Sequence, residues 1–385
     1  MDAVAVFLEI RQRMQKALLI IRGIKPESCP IDITVMPSWV ELTTRQVCKA
    51  INFPPEVRIV PSSCRGLQYV PADGLHMRLL AQADLNTKLV SFGHDVLKSN
   101  KSYTFYCQSC GNRVINNRRF LRVLSLPSEN WTDLVEEWCC HPSPFSDSLL
   151  QPQRDDCLLG HNYFLVTSEN AATEARSDIL CSGACSTLPT SGDSVENPKA
   201  NSRVICKRCK TLLGDVQPSG VTKYYFTELL VLPSEDRFSE IPRILFIQSV
   251  VTQCLVHLSS TRSTFRFIIQ GTDGTVYILI WLLNSDTLLV NSWRNSGVFP
   301  FLEHDGSSDT RPLEVQKAAK VLYHPCTKNR NKELTDAWES DAGVRPLTFP
   351  PKTCLELLLI LAQSNASLPS SLQWMNSFQV AFLKM

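Results

Sequence analysis

The sequence predicts an α+β chain, with a β-rich, sandwich-like N-terminal part followed by a smaller α+β C-terminal part. Three observations predict it. Short β-rich runs fill the stretch from Phe7 to about Leu80, an internal repeat occupies the middle, and the texture changes after Asp236.

The N-terminal runs are "VFLEI", "ALLIIRG", "IDITVM", "VRIVPSS" and "HMRLL", punctuated by Pro, Gly and Ser. Branched and aromatic residues between turn formers read as strands. The repeat follows. "YTFYCQSCGNRVINNRRFLRVLSLPSEN" begins at Tyr103, and "SRVICKRCKTLLGDVQPSGVTKYYFTELLVLPSED" begins at Ser202. Each unit has an extended apolar run, a Cys-x-x-Cys turn, a second apolar run and Leu-Pro-Ser-Glu. Two copies of one design predict a pair of strand–knuckle–strand elements. The segment between them, about 167–202, is rich in Ser, Ala, Asn and Thr and reads as a disordered insertion.

After Asp236, "IPRILFIQSVVTQCLVHLSS" reads as an apolar helix opened by Pro242. "STFRFIIQGTDGTVYILIWLLN" reads as a hairpin turning at Thr272-Asp273-Gly274. "LEVQKAAKVLYH" reads as a helix or a helix–strand junction, and "PPKTCLELLLILAQSN" as a helix ending near Ser364. These textures divide the chain into a β-rich domain, 1–236, and an α+β domain, 237–385.

Composition narrows the function. The chain has 385 residues, 44% apolar and 20% charged, and a net charge of +2, which supplies no electrostatic footprint for direct nucleic-acid binding. Glu9 and Arg11 interrupt any signal-peptide core in "MDAVAVFLEIRQRMQ", and the runs "VYILIWLL" and "LELLLILA" are too short to span a membrane. A cytoplasmic or nuclear protein is expected. In such a compartment fifteen cysteines are read for metal binding and thiol chemistry rather than as disulfides.

Cys107 and Cys110 form one pair, and Cys206 and Cys209 the other. Four thiolates fill a tetrahedral zinc shell, so the repeat predicts one split, structural zinc site with four cysteine ligands. Cys139, Cys140 and His141 in "NWTDLVEEWCCHPSPF" are then spare. They read as packed thiols, a second metal site, or a motif shown to a partner. Trp131 and Trp138 beside them read as core packing or as a partner anchor. At the C-terminus Thr353 reads as an N-cap with Glu356 completing a capping box, which makes Cys354 the first helical residue. A thiol there favours the thiolate and could accept an acyl group; it also reads as a buried residue opening an apolar helix.

The segments "TCLELLLIL", "LPSSLQWMNSFQVAFLKM", "IPRILFIQSVVTQCLVHLSS" and "SENWTDLVEEWCCHP", with "VPSSCRGLQ", "FYCQSCG", "VICKRCK" and "RSTFRF", resemble one family across nearly the whole chain. It is the family of HECT-like E3 ubiquitin ligases that bind the mitotic ubiquitin-conjugating enzyme and cyclin B. The resemblance implies that Thr353–Met385 is a HECT-like segment with Cys354 as the ubiquitin-accepting cysteine. It implies that the region Ile241–Ser259, with Phe246 and Val250, contacts the conjugating enzyme. The family also resembles pre-mRNA 3′-end processing factors that bind the metallo-β-lactamase-type endonuclease of the cleavage and polyadenylation complex. That implies an inhibitory mode in which the segment bearing Trp138 enters the nuclease and Cys140, flanked by Cys139 and His141, ligates the nuclease zinc. The chain departs from typical HECT enzymes in carrying Leu355 after Cys354, where they carry an aromatic residue.

Overall fold

A computed structural model describes residues 5–23, 32–43, 48–83, 96–126, 152–167, 202–217, 220–292, 314–326 and 331–385. Its strands, in chain order, are β1 (Ala5–Arg11), β2 (Lys16–Arg22), β3 (Asp32–Val35), β4 (Trp39–Thr43), β5 (Cys48–Asn52), β6 (Val57–Val70) and β7 (Gly74–Ala83). There follow β8 (Lys101–Cys107), β9 (Arg113–Phe120), β10 (Arg122–Ser125), β11 (Asp156–Leu159), β12 (Tyr163–Thr167), β13 (Ser202–Ile205), β14 (Leu212–Val216), β15 (Val221–Tyr225) and β16 (Leu229–Pro233). Helix α1 (Arg243–Arg262) leads to β17 (Arg266–Gly271), β18 (Val276–Asn291) and β19 (Gln316–Pro325). Helix α2 (Lys332–Glu339), β20 (Val344–Phe349), helix α3 (Pro351–Ala366), β21 (Trp374–Met375) and β22 (Phe378–Lys384) complete the chain. Among the described residues the protein is β-rich, with several sheets and few helices.

Two compact units form, and neither is continuous in sequence. The first comprises Met1–Val90, Leu255–Leu347 and Pro351–Met385; the second comprises Ser91–Cys254 and Thr348–Pro350. This differs from a division near residue 236. The reason is strand pairing: β1 bonds to β18 in antiparallel register, Phe7 opposite Asn291 and Arg11 opposite Thr287, so the N-terminal strands share a sheet with the C-terminal ones.

The first unit is built on a ten-stranded sheet whose main path runs β21-β22-β19-β18-β1-β2-β7-β6, with β17 also paired to β18 and β20 paired to β17. Successive side chains of a strand point to opposite faces. On β1, Val6, Leu8 and Ile10 therefore enter one core with Leu19, Ile21, Met77, Leu288 and Val290, joined by Val40 and Ile51 from the small β3-β4-β5 sheet and by Phe53 just after it. Phe7, on the other face, packs with Ile20, Leu322, Leu368, Val380 and Phe382. Burial on both faces explains why β1 is apolar from Ala5 to Leu8 and again at Ile10, rather than alternating. It also corrects the expectation for "LEVQKAAKVLYH". Ala318 and Ala319 sit in the middle of β19, paired to both β18 and β22, so tertiary pairing overrides their helix propensity.

The second unit stacks a six-stranded sheet, β10-β11-β12-β15-β14-β13, and a three-stranded one, β16-β8-β9, around an aromatic core. Phe164 lies at its centre, with ring centroids 5.4 Å from Phe105, 5.4 Å from Tyr224 and 5.2 Å from Phe226. The two repeat units form β8–knuckle–β9 and β13–knuckle–β14, so each metal-ligand turn is held by an antiparallel strand pair.

Candidate functional site

The two knuckles are local copies of each other. Cys107 N–H donates to the Asn112 carbonyl at 2.8 Å, and Cys206 N–H donates to the Thr211 carbonyl at 2.9 Å. Gly111 N–H donates to the Cys107 carbonyl at 2.8 Å, and Lys210 N–H to the Cys206 carbonyl at 2.9 Å. Both turns close through a left-handed residue four positions after the first cysteine, Gly111 at φ +69° and Lys210 at φ +60°.

The turns bring all four sulfurs within 4.8 Å of one another. Cys107 and Cys209 are 3.6 Å apart, and Cys110 and Cys206 are 3.7 Å apart. A tetrahedral ion with metal–sulfur bonds of about 2.3 Å sets its ligand sulfurs about 3.8 Å apart. Disulfide sulfurs would sit about 2.05 Å apart. The donor set therefore fits a metal ion, and four thiolates with no other ligand are compatible with structural zinc. The expected quartet is brought together as the spacing predicted. Burial pushes the Cys107 and Cys110 thiols up. Burial also acts to raise Cys209, but hydrogen bonds from the Thr211 hydroxyl and amide, with help from Cys110 and Cys107, outweigh it and bring that thiol to about 6. A bound cation would favour the thiolate at all four positions. The buried Cys157 thiol elsewhere in the core is pushed up by desolvation, as for a packing residue.

A polar network fastens this centre to the start of helix α1. Gln108, inside the first Cys-x-x-Cys, donates its backbone N–H to the Glu228 carbonyl at 3.0 Å and its side-chain amide to the Ile241 carbonyl at 2.8 Å. Arg243 donates to Gln108 Oε1 at 3.3 Å and forks onto both carboxylate oxygens of Glu228 at 3.0 Å. Glu228 is almost fully buried, so this ion pair, made by Nη2 to both oxygens, is protected from water. Phe238 stacks on Tyr106 at 4.8 Å and covers Gly111. No sequence motif marks this network, because its members are ordinary residues that are far apart in the chain.

Helix α1 forms where expected, but its side chains correct the partner assignment. Phe246 and Val250 are 1% and 5% exposed, and residues 246–252 are all buried. Two residues packed into an apolar core cannot serve as a free docking surface. Leu245, at 49% exposed, faces outward instead.

Cys354 lies in helix α3, and the local expectation shifts there too. The helix begins at Pro351, a residue suited to the first helical position, so Thr353 is a buried helical residue rather than the cap. Cys354 is fully buried and its thiol donates to the Gln270 carbonyl at 3.5 Å. Trp138, Cys139, Cys140 and His141 lie outside the described residues, as does the 168–201 insertion.

Comparison with known proteins adds the family. The model of the HECT-like ubiquitin-conjugating enzyme (E2)-binding family matches residues 9–380. The chain is 53% identical over 382 residues to an E3 ubiquitin-protein ligase of Pongo abelii, covering 98% of this chain and 97% of the relative. It is 52% identical over 383 residues to the Homo sapiens ligase of the same name, covering 99% and 98%. An uncharacterised protein of Saccharomyces cerevisiae is 20% identical over 294 residues, 74% of this chain and 70% of its own length. No solved structure matches.

Proposed function

The chain belongs to the HECT-like ubiquitin-conjugating enzyme (E2)-binding family, and from that premise we propose that it is an E3 ubiquitin-protein ligase that accepts ubiquitin from a conjugating enzyme and transfers it to substrate lysines. The observation that carries the proposal is the match to named ligases over nearly the full chain. It rests at residue level on Thr353-Cys354, which stands as the HECT-like Thr-Cys pair in the first turn of α3.

The transfer is a thiol exchange. The Cys354 thiolate attacks the thioester carbonyl that joins ubiquitin to the conjugating enzyme. A new carbon–sulfur bond forms, the old one breaks, and the conjugating enzyme's cysteine leaves as the thiolate and takes up a proton. A substrate lysine amine then attacks, an isopeptide bond forms and the Cys354 thiol returns. The Cys107, Cys110, Cys206 and Cys209 centre has no part in this chemistry. As a zinc centre with four protein ligands it has no open position, and its contribution is to hold two knuckles and, through Gln108 and Arg243, the start of α1.

The test is a non-reducing assay with charged conjugating enzyme. A reducible ubiquitin adduct is expected on the wild type and is lost in Cys354→Ala. Substrate ubiquitination that persists in Cys354→Ala would overturn this route and assign the discharge to the conjugating enzyme's own thioester.

A second activity accords with one specific observation. The four-thiolate cluster satisfies one metal without Cys139, Cys140 and His141, which supports the reading that the Trp-Cys-Cys-His-Pro segment serves a partner's metal. On the family resemblance that partner is the metallo-β-lactamase-type cleavage and polyadenylation endonuclease, blocked by Cys140 with Trp138 as anchor. Cys140→Ala should lose the nuclease complex and keep the ubiquitin adduct. Cyclin B binding also rests on the resemblance, the cytoplasmic or nuclear location rests on the sequence reading, and co-purification from fractionated cells tests both.

A further inference from the structure

Cys354 can accept ubiquitin only if something uncovers it. Its sulfur lies under the end of β17, 3.5 Å from the Gln270 carbonyl, and none of it reaches solvent. Past Gln270 the chain turns back at once. Gly271 N–H donates to the Thr275 carbonyl at 2.8 Å, and Gly274, at φ +74°, donates to the Gly271 carbonyl at 2.9 Å. Thr272, Asp273 and Gly274 are exposed.

Side chains hold this turn down as well as its backbone. Asp273 Oδ1 accepts from Thr275 N–H at 3.1 Å, and Tyr277 Oη donates to Asp273 Oδ2 at 3.3 Å. Both groups close over Gly271. A Cβ placed there would stand 2.2 Å from Asp273 Oδ1 and 2.8 Å from Tyr277 Cε2. Tyr277 follows Val276, the strand partner of Gln270, which puts the latch beside the carbonyl that holds the sulfur.

We propose that the Gly271–Thr275 turn, latched by Asp273 and Tyr277, is a lid over Cys354, and that the thiol reacts only when this turn lifts. The proposal rests on the reading of Cys354 as acceptor for its purpose, but not for its test. Asp273 and Tyr277 act through the turn and are positioning residues. A buried thiol under an exposed, few-bond turn is reached by local opening, without unfolding of the unit. The lid would keep the acceptor from adventitious thiol reagents until a bound partner displaces it.

Maleimide labelling of the full-length protein, followed peptide by peptide by mass spectrometry, reads the opening. Wild-type Cys354 should label slowly, at a rate nearly independent of urea below the unfolding transition. Asp273→Ala should label about five- to tenfold faster, the effect of one or two net hydrogen bonds lost. Gly271→Ala, which pushes the carboxylate and ring off the turn, should label faster too. Unchanged labelling in both variants, or a rate that climbs with urea in parallel with global unfolding, would sink the lid. A ubiquitin adduct assay on the same proteins separates the two readings: accelerated labelling with no adduct in any variant keeps the lid and removes the acceptor role, and an adduct with unchanged labelling does the reverse.

Discussion

Gln108 donates its side-chain amide to the Ile241 carbonyl at 2.8 Å, which ties the first metal-ligand loop to the chain two residues ahead of helix α1. A metal held by these cysteines would therefore be linked by hydrogen bonds to the start of the helix in the second unit. One zinc per chain is expected by elemental analysis. Cys206→Ser should lose the metal and unfold this unit, because structural zinc affinity is folding free energy. Gln108→Ala should keep the metal and cost about 1–2 kcal/mol, since the Ile241 carbonyl and one Arg243 donor lose their partner. Metal content and urea unfolding on the same samples separate the two effects. Loss of zinc from Gln108→Ala would contradict the assignment of Gln108 as a tether.

The repeat also makes a quantitative comparison possible. Gly111 and Lys210 hold the same left-handed turn, but only the glycine does so without a Cβ penalty. Lys210→Gly should raise stability by about 1 kcal/mol. Gly111→Ala should lower it by at least as much, because its Cβ would also stand 3.1 Å from Phe238 Cζ. Urea midpoints measure both, and changes of equal sign would break the equivalence of the knuckles.

What was legible in the sequence was what local chemistry dictates. Cys107, Cys110, Cys206 and Cys209 were legible because a metal ion demands the same turn twice. The β17–β18 hairpin was legible because Thr272-Asp273-Gly274 fits only a tight turn. What was not legible is non-local. Nothing in "VFLEI" announces that it pairs with residues near 290, so the N-terminal strands looked like a separate sandwich. Phe246 and Val250 were assigned to the conjugating enzyme through the family resemblance, which carries no information on which side of a helix is buried. The helix α3 start lies three residues earlier than expected, at Pro351 rather than Cys354, because Pro351 and Thr353 both carry valid start signals, and the proline won.

Glu9 and Lys320 form a buried ion pair in the first unit, Nζ to the two carboxylate oxygens at 2.9 and 2.8 Å, with Arg11 Nε at 3.4 Å. Glu9 is buried on β1 between Leu8 and Ile10, so it is held by its cationic partners rather than by solvent. Glu9→Leu should cost about 3–5 kcal/mol, because it strands a buried ammonium. The double variant Glu9→Leu/Lys320→Met should recover most of that loss, which a double-mutant cycle would read as strong coupling. Additive losses would mean that the pair is solvated.

The pH dependence of the first unit should follow His76. Asp73 is fully buried and accepts the backbone N–H groups of Ser370 at 2.7 Å and Ser371 at 3.0 Å, where the chain makes a single 3-10 turn before β21. His76 Nε2 lies 3.4 Å from the same carboxylate. Burial holds the His76 imidazole below its ordinary 6.5, and the Asp73 charge only partly opposes it. The folded state therefore binds fewer protons at His76 than the unfolded state does. Stability is complete above pH 6.5 and falls as the pH drops below 6.5 toward the folded value. The urea midpoint should decrease between about pH 7.5 and 5.5 in the wild type, and the slope should be shallower in His76→Gln. Protonation also places an imidazolium N–H beside Asp73, a third donor after the Ser370 and Ser371 amides, so part of the carboxylate's capacity would turn from those amides to the imidazolium. Lower amide protection at those two residues below pH 6.5, relative to their intrinsic exchange rates, is the local signature. A pH slope unchanged by His76→Gln would assign the dependence to other groups.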